Sequence, residues 1–199
     1  MNQQKIDIDK HRDVIISFRR DSFKVSFGTD QDFDEEEYVR WVQDQSALFP
    51  DGFILLMEKG VPIGQLELTV KDYEDSKIGY VNLYYLIPER RGSGMGNKLH
   101  QYALQFFRTQ GVSEYHLRVS PSNHQALSFY KRIGMREFKK EFGGTVIRMR
   151  GVVSEQPRTI KKGDNSPWKF QKQDGHIKLI LSHTIFQFNP ALQSWNILL

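Results

Sequence analysis

Apolar positions along the chain change their period several times, and each change predicts an element. In residues 10–20, Val14, Ile15 and Phe18 fall at helical spacing. A break at Gly28 and Asp30 follows. An acid-rich start leading into Tyr38, Val39, Trp41 and Val42 predicts a second helix. Runs at 53–58 and 63–70 flank Lys59-Gly60-Val61-Pro62, a hairpin signal. Within the second run, Leu66, Leu68 and Val70 alternate with Gln65, Glu67 and Thr69, as in a strand with two unlike faces. Residues 77–87, rich in Val and Tyr, predict a third strand that Pro88 and the following glycines end. Leu99, Tyr102, Ala103, Phe106 and Phe107 give 97–109 one apolar helical face, closed by Gly111. A strand at 115–119, a helix at 125–133 stopped by Gly134, and strands at 135–140 and 145–152 around Gly143-Gly144 complete the pattern.

Helix, helix, hairpin, strand, helix, strand, helix and two strands predict an α/β mixed sheet covered on both faces. No internal repeat is visible. From 154 to 175 the chain turns polar and loop-like, 177–188 is strand-like again, and 190–199 is apolar. The expected organisation is a domain over 1–152 and an extension of unknown role over 153–199. That extension could add a strand and contact the body or a partner chain, which leaves room for a homodimer. It could equally be a disordered tail or an addition outside the fold.

The 199 residues carry 28 Lys+Arg and 24 Asp+Glu, a formal charge of +4. Residues 1–151 contribute only +1 of this and the remainder +3. A nearly neutral body with scattered basic residues argues against nucleic acid as a partner. The absence of cysteine excludes disulfides, thiolate metal sites and cysteine nucleophiles. The opening Met-Asn-Gln-Gln-Lys lacks an apolar leader, and no stretch approaches the roughly 18 apolar residues of a membrane span. A cytoplasmic setting without a membrane partner is therefore expected.

The most informative segment is Ile87-Pro88-Glu89-Arg90-Arg91-Gly92-Ser93-Gly94-Met95-Gly96-Asn97-Lys98, where a strand runs through a glycine-rich turn into a helix. Such a turn suits a phosphate, because the helix start offers free N–H groups and the positive end of a dipole. A Walker loop does not fit, since Asn97 and Lys98-Leu99 follow Gly96, and Asn97 stands where the dinucleotide fingerprint needs glycine. Arg91-x-x-Gly94-x-Gly96 instead resembles the acyl-CoA signature of the GNAT superfamily of N-acetyltransferases. Leu86-Ile87-Pro88-Glu89 before it is similar to the family too. So are Ser120-Pro121-Ser122-Asn123, Ala126, Ser128-Phe129-Tyr130 and Ile133-Gly134-Met135 after it, in order and spacing. The resemblance covers about 50–150 well and the first two helices loosely. A glycine turn that merely caps a helix is the plain alternative.

The resemblance implies a mostly antiparallel, twisted sheet with central parallel strands splayed at a bulge and helices on both faces. It implies acetyl-CoA as co-substrate, no metal, and transfer of an acetyl group to a primary amine by direct attack in a ternary complex. An acyl-CoA-binding module with little or no turnover is the alternative. By position, backbone groups of Leu86 and Ile87 would hold the pantetheine arm and thioester oxygen. The N–H groups of Arg91, Gly92, Ser93, Gly94, Met95 and Gly96 would surround the pyrophosphate. Asn123 would contact the cofactor, cap a helix, or do both. Tyr130 would protonate the leaving thiolate, or simply pack in the core. Certain family members carry a glutamate where Arg118 stands, so the base must come from elsewhere; Glu67 is the candidate, with a solvated strand position as its plain reading. Asn82 and Tyr84, on one face of their strand, could hold water, while His116 and His124 are expected at the surface. Asp30, Asp32, Asp34, Glu35, Glu36 and Glu37 favour a helix start. As an acceptor wall they would suit a cationic amine, small molecule or peptide, with Trp41, Tyr84 and Tyr85 as aromatic faces.

Overall fold

The computed structural model of the chain describes residues 2–153 and the backbones of four further strands, at 168–173, 176–181, 184–189 and 194–198. The chain divides into two compact units, Met1–Glu155 and Gln156–Leu199. The first begins with β1 (Asn2–Lys5), α1 (Ile8–Phe27) and α2 (Glu35–Leu48). The strands β2 (Phe53–Glu58), β3 (Val61–Tyr73) and β4 (Ser76–Leu86) follow, then α3 (Met95–Thr109), β5 (Glu114–Val119) and α4 (His124–Arg132). The unit closes with β6 (Arg136–Glu141) and β7 (Val146–Val152). Its sheet runs β1-β2-β3-β4-β5-β7-β6, and only the β4–β5 pair is parallel.

The sheet separates two cores. Phe53, Leu55 and Met57 of β2 face Ile15, Phe18, Tyr38 and Val42 of α1 and α2. Ile54 and Leu56 face Leu99, Ala103, Phe106 and Phe107 of α3. Burial on both sides explains why β2 reads as a continuous apolar run. In β3 the apolar residues Leu66 and Leu68 join the α3 core, whereas Gln65, Glu67 and Thr69 are buried on the other face. The polar face of that strand is therefore covered by helices, not bathed in water.

Two elements exceed the hydrophobic pattern. Strand β1, Asn-Gln-Gln-Lys, is wholly exposed and pairs with β2 as an edge, so no apolar alternation announces it. Helix α1 continues to Phe27, where Gly28 ends it with a φ of 79°; Phe23 in that added length stacks at an angle on Phe33.

In Gln156–Leu199, β8 (Trp168–Gln173), β9 (His176–Leu181), β10 (Thr184–Asn189) and β11 (Ser194–Leu198) form an antiparallel sheet in the order β11-β10-β9-β8. The single strand expected over 177–188 is thus two strands, β9 and β10, paired with each other. Residues 168–173, expected as loop, form β8. The polar stretch 154–167 and residues 190–193 lie outside the described residues.

Candidate active site

Strand β4 meets β5 only where Gly79, Tyr80 and Val81 pair with Tyr115, His116 and Leu117. Its pairing to β3 slips at the same place: Glu67 faces Leu83 and Leu68 faces Val81, leaving Asn82 as an extra residue. That bulge changes which side each later residue faces. Val81 belongs to the α3 core and Leu83 to the α1/α2 core, although they are two apart. Asn82 and Tyr84 consequently part company. Asn82 bonds Thr69 and Lys71 on the α1/α2 side, and Tyr84 packs against the α3 core.

Beyond the bulge the β5 side of β4 is open. The Ile87 N–H donates to the Ile63 carbonyl at 3.0 Å, so it points to β3 and away from the opening. Alternation along the strand turns the N–H groups of Tyr84 and Leu86 into the opening instead. Of the two backbone positions expected from the sequence, Leu86 turns its N–H to the opening and Ile87 is engaged with β3.

The glycine turn leads into α3 through Gly94, whose φ of 79° lets it precede the helix directly. Asn97 N–H already donates to the Gly94 carbonyl at 3.1 Å, leaving the Met95 and Gly96 amides as the free N–H groups of the first turn. The Met95 side chain is core. A Cβ on Gly96 would come within 2.9 Å of the Phe129 ring, so this glycine lets α3 and α4 approach. Arg91 is heavily engaged: its N–H donates to the Pro88 carbonyl, its Nε to the Leu86 carbonyl and its Nη2 to Asp21 at 2.7 Å. The Ser93 hydroxyl donates to the Arg90 carbonyl. Of the loop's N–H groups that of Arg91 is engaged, whereas those of Gly92, Ser93, Gly94, Met95 and Gly96 make no hydrogen bond among the described residues.

Two cavities flank the opening. One, of about 550 Å³, is bounded by the glycine turn, including Arg91, Gly92, Gly94 and Gly96. The other, of about 600 Å³, is bounded by α1, α2 and the splayed strands. They share Tyr84, Asn123, Ala126 and Tyr130, with Ser22 and Ser26 of α1. Burial pushes the Tyr130 phenol up to about 12. Burial, with Tyr115 and Tyr130 near it, holds Tyr84 well above the usual 10, and its hydroxyl is buried with no hydrogen-bond partner. Asn123 accepts the Ala126 N–H at 3.1 Å and caps α4, while its side chain also borders both cavities.

Glu67 is fully buried and borders neither cavity. Its Oε1 accepts from Tyr38 at 2.5 Å and from Gln65 at 2.8 Å, and its Oε2 lies 3.4 Å from Arg19. Burial raises its carboxyl above the usual range against the opposing pull of Arg19, Tyr38 and Gln65. A solvated strand position, the plain reading of the sequence, does not describe it. Tyr38 and Arg19 do border the second cavity. Arg19 also donates to the Asn82 carbonyl at 3.0 Å, so the network grips the bulge itself. No local pattern announces this link, because helix and bulge are 63 residues apart.

The acidic stretch is mostly engaged elsewhere. Asp30 and Glu35 bind Arg20, Glu36 binds Arg12, and Asp34 accepts the Glu37 N–H as the α2 cap. Asp32, Asp34 and Glu37 border the second cavity, as does Trp41; Tyr85 borders the first. His116 is a correction: it is fully buried, with Nε2 at 2.7 Å from Glu114. Tyr73 and Phe138 pack over its ring, with centroids at 5.1 and 5.5 Å, a cover that a lone histidine in 115–119 does not reveal. His124 is exposed. Among the described residues no group of three or more His, Asp or Glu could hold a metal ion, and no helix is long and apolar enough to cross a membrane.

The model of the acetyltransferase (GNAT) family matches residues 14–135. The chain is similar to an uncharacterised N-acetyltransferase of Methanocaldococcus jannaschii, 26% identical over 103 residues, 50% of this chain and 44% of that protein. It is also similar to N-alpha-acetyltransferase 30 of Schizosaccharomyces pombe, 34% identical over 62 residues, 31% of this chain and 41% of that protein. It thus spans less than half the length of either relative. Among solved structures it is similar to PaiA N-acetyltransferase of Thermoplasma acidophilum in complex with coenzyme A. The TM-score is 0.59 at 20% identity, covering 76% of this chain and 98% of that one. A GNAT-family acetyltransferase of Staphylococcus aureus superposes with a TM-score of 0.64 at 16% identity, covering 77% and 99%. At these identities the structures speak to fold. The matched region carries the bulge, the glycine turn and the shared Tyr130–Asn123 wall, and the chain belongs to the GNAT acetyltransferase family.

Proposed function

We propose that this chain moves an acetyl group from acetyl-CoA to a primary amine by direct attack within a ternary complex. The observation that carries the reading is the meeting of two cavities at Tyr84, Asn123 and Tyr130, one of them floored by the glycine turn. The CoA pyrophosphate lies on the free amides of the turn and the α3 start. The pantetheine arm runs along β4, with the Tyr84 and Leu86 N–H groups as donors to its carbonyls. The amine enters from the other cavity and attacks the thioester carbon. The C–S bond breaks, and the thiolate takes the Tyr130 phenolic proton. A phenol raised to about 12 keeps that proton through the working pH range.

The amine must lose a proton. Glu67 cannot touch it directly, but Tyr38 stands between Glu67 and the cavity. Tyr38 takes the amine proton on its oxygen while passing its own to Glu67. With no cysteine in the sequence, a cysteine-linked acyl intermediate has no part. The composition fits a cytoplasmic setting, and the acceptor is a small-molecule or peptide amine.

A panel of amines assayed by CoA release tests the reaction. Replacing Tyr130 by Phe is expected to lower kcat by about 10²-fold or more, the usual worth of a placed general acid. An unchanged kcat across pH would remove Tyr130 from the mechanism. Tight CoA binding by calorimetry with no thiol release for any amine would favour the acyl-CoA-binding module.

A further inference from the structure

The second cavity has a cationic corner that the acetyl-transfer reading does not use. Lys71 of β3 and Arg118 of β5 both border it. The Lys71 ammonium donates only to the Asn82 side-chain carbonyl, at 3.3 Å, and sits 4.0 Å from the Tyr80 ring centroid. It has no carboxylate partner among the described residues. Arg118 shares one carboxylate, Glu141, with Arg148: the Nε–oxygen distances are 2.6 and 2.8 Å. Lys139 approaches the same carboxylate at 3.7 Å, so three cations share one anion while Lys71 has none, and the Arg118 side chain remains 43% exposed. Burial, with Arg118 and Arg148 nearby, pushes the Lys71 ammonium below its usual range. Crowded like charges with open access and a single shared counter-ion are an unmet demand for an anion. Of the acids expected to favour a cationic acceptor, Asp30, Glu35 and Glu36 are held by Arg20 and Arg12 and Asp34 caps α2, while Asp32 and Glu37 stay at the border of the same cavity, among its α1- and α2-side residues.

We infer that Lys71 and Arg118 form an anion subsite that holds a carboxylate of the acceptor, so that the substrate is an amino acid-like amine. Its carboxylate would sit at the β3/β5 corner while its amine reaches the Tyr84–Tyr130 junction at the other end of the same cavity. Arginine at 118 then has a role of its own. The guanidinium offers fixed N–H donors to a carboxylate, and Lys71 adds a point charge.

The inference rests on the acetyl-transfer reading for the identity of the occupant, so its test avoids turnover. The full chain, loaded with CoA, is titrated calorimetrically with product-type probes: N-acetyl ω-amino acids of increasing length, their carboxamides, and N-acetyl diamines. At one or more lengths the carboxylate probe is expected to bind about tenfold tighter than its amide, as a charge-assisted contact warrants. In Lys71→Met and in Arg118→Gln that preference is expected to shrink to about twofold or less, with CoA affinity reporting that each variant is folded. Equal binding of acids and amides at every length would overturn the inference. So would a preference that survives in both variants, or tighter binding of the diamines. A carboxylate preference with no acetyl transfer to any amine would instead overturn the proposed reaction and leave the subsite standing.

Discussion

At the scale of single residues, Glu141 concentrates the acid sensitivity of the sheet. Burial pushes its carboxyl up, but Arg148 and Arg118 outweigh that and bring it down to about 2. In the unfolded chain it returns to its ordinary 4.5. A depressed carboxyl stabilises the fold fully above its unfolded value, and the benefit fades as pH falls from about 4.5 towards 2. Urea unfolding followed across that window should show falling stability, and Glu141→Gln should flatten the fall; identical slopes in both proteins would refute the assignment. Glu67 calls for a different measurement. If it receives the amine proton through Tyr38, Tyr38→Phe and Glu67→Gln should each lower kcat and leave CoA affinity intact, and the double variant should lose little more than either single one. Independent, additive losses would break the relay. Glu67 also marks the limit of sequence reading at this scale. The alternation of Gln65, Glu67 and Thr69 announced a polar face, but what covers that face comes from α1 and α2, far away in sequence.

At the scale of elements, the approach of helix to strand depends on missing side chains. Gly79 of β4 lies beneath Phe107 of α3, and a Cβ there would fall 2.5 Å from the ring. Phe107 is fully buried and cannot swing away, so Gly79→Ala should cost about 1–3 kcal/mol by overpacking. Chemical denaturation reads this directly, and an unchanged midpoint would show that the two elements separate more freely than their packing implies. Asn123 serves α4 and borders both cavities, and two substitutions distinguish these roles. Asn123→Ala should lose about 0.5–2 kcal/mol with the cap, whereas Asn123→Ser keeps a capping oxygen and should retain stability. If Asn123→Ser nonetheless weakens acetyl-CoA binding, its amide contacts the co-substrate; unaltered affinity leaves Asn123 as a cap alone. Most elements were visible in the sequence because their apolar periods were strong and Gly28, Gly111 and Gly134 punctuated them. Strand β1 was invisible because an exposed polar edge has no apolar period. The engagement of Arg91 was invisible as well. The motif names the residue, but its partner Asp21 lies 70 positions earlier, on α1.

At the scale of the molecule, two sheets arise from one chain: a seven-stranded mixed sheet within Met1–Glu155 and a four-stranded antiparallel one within Gln156–Leu199. Among the described residues, those of both cores and of both cavity walls belong to the first unit. Truncation after Glu155 should therefore leave its cooperative unfolding and its CoA affinity unchanged, measured by calorimetry and thermal melting. A lost transition would show that the second unit is needed for the first to fold. The wider consequence lies in the extra residue at Asn82. Along β4 the chain keeps a strict two-beat phase, and at Asn82 it slips by one beat. Deleting that residue would restore the phase with Val81, Leu83, Tyr84 and Tyr85 all on the faces they hold now, so both cores would survive while the bulge, and the Arg19 grip on its carbonyl, would be lost. Every substitution at position 82 should be milder than its removal, because what Asn82 contributes first is a count and only afterwards a side chain.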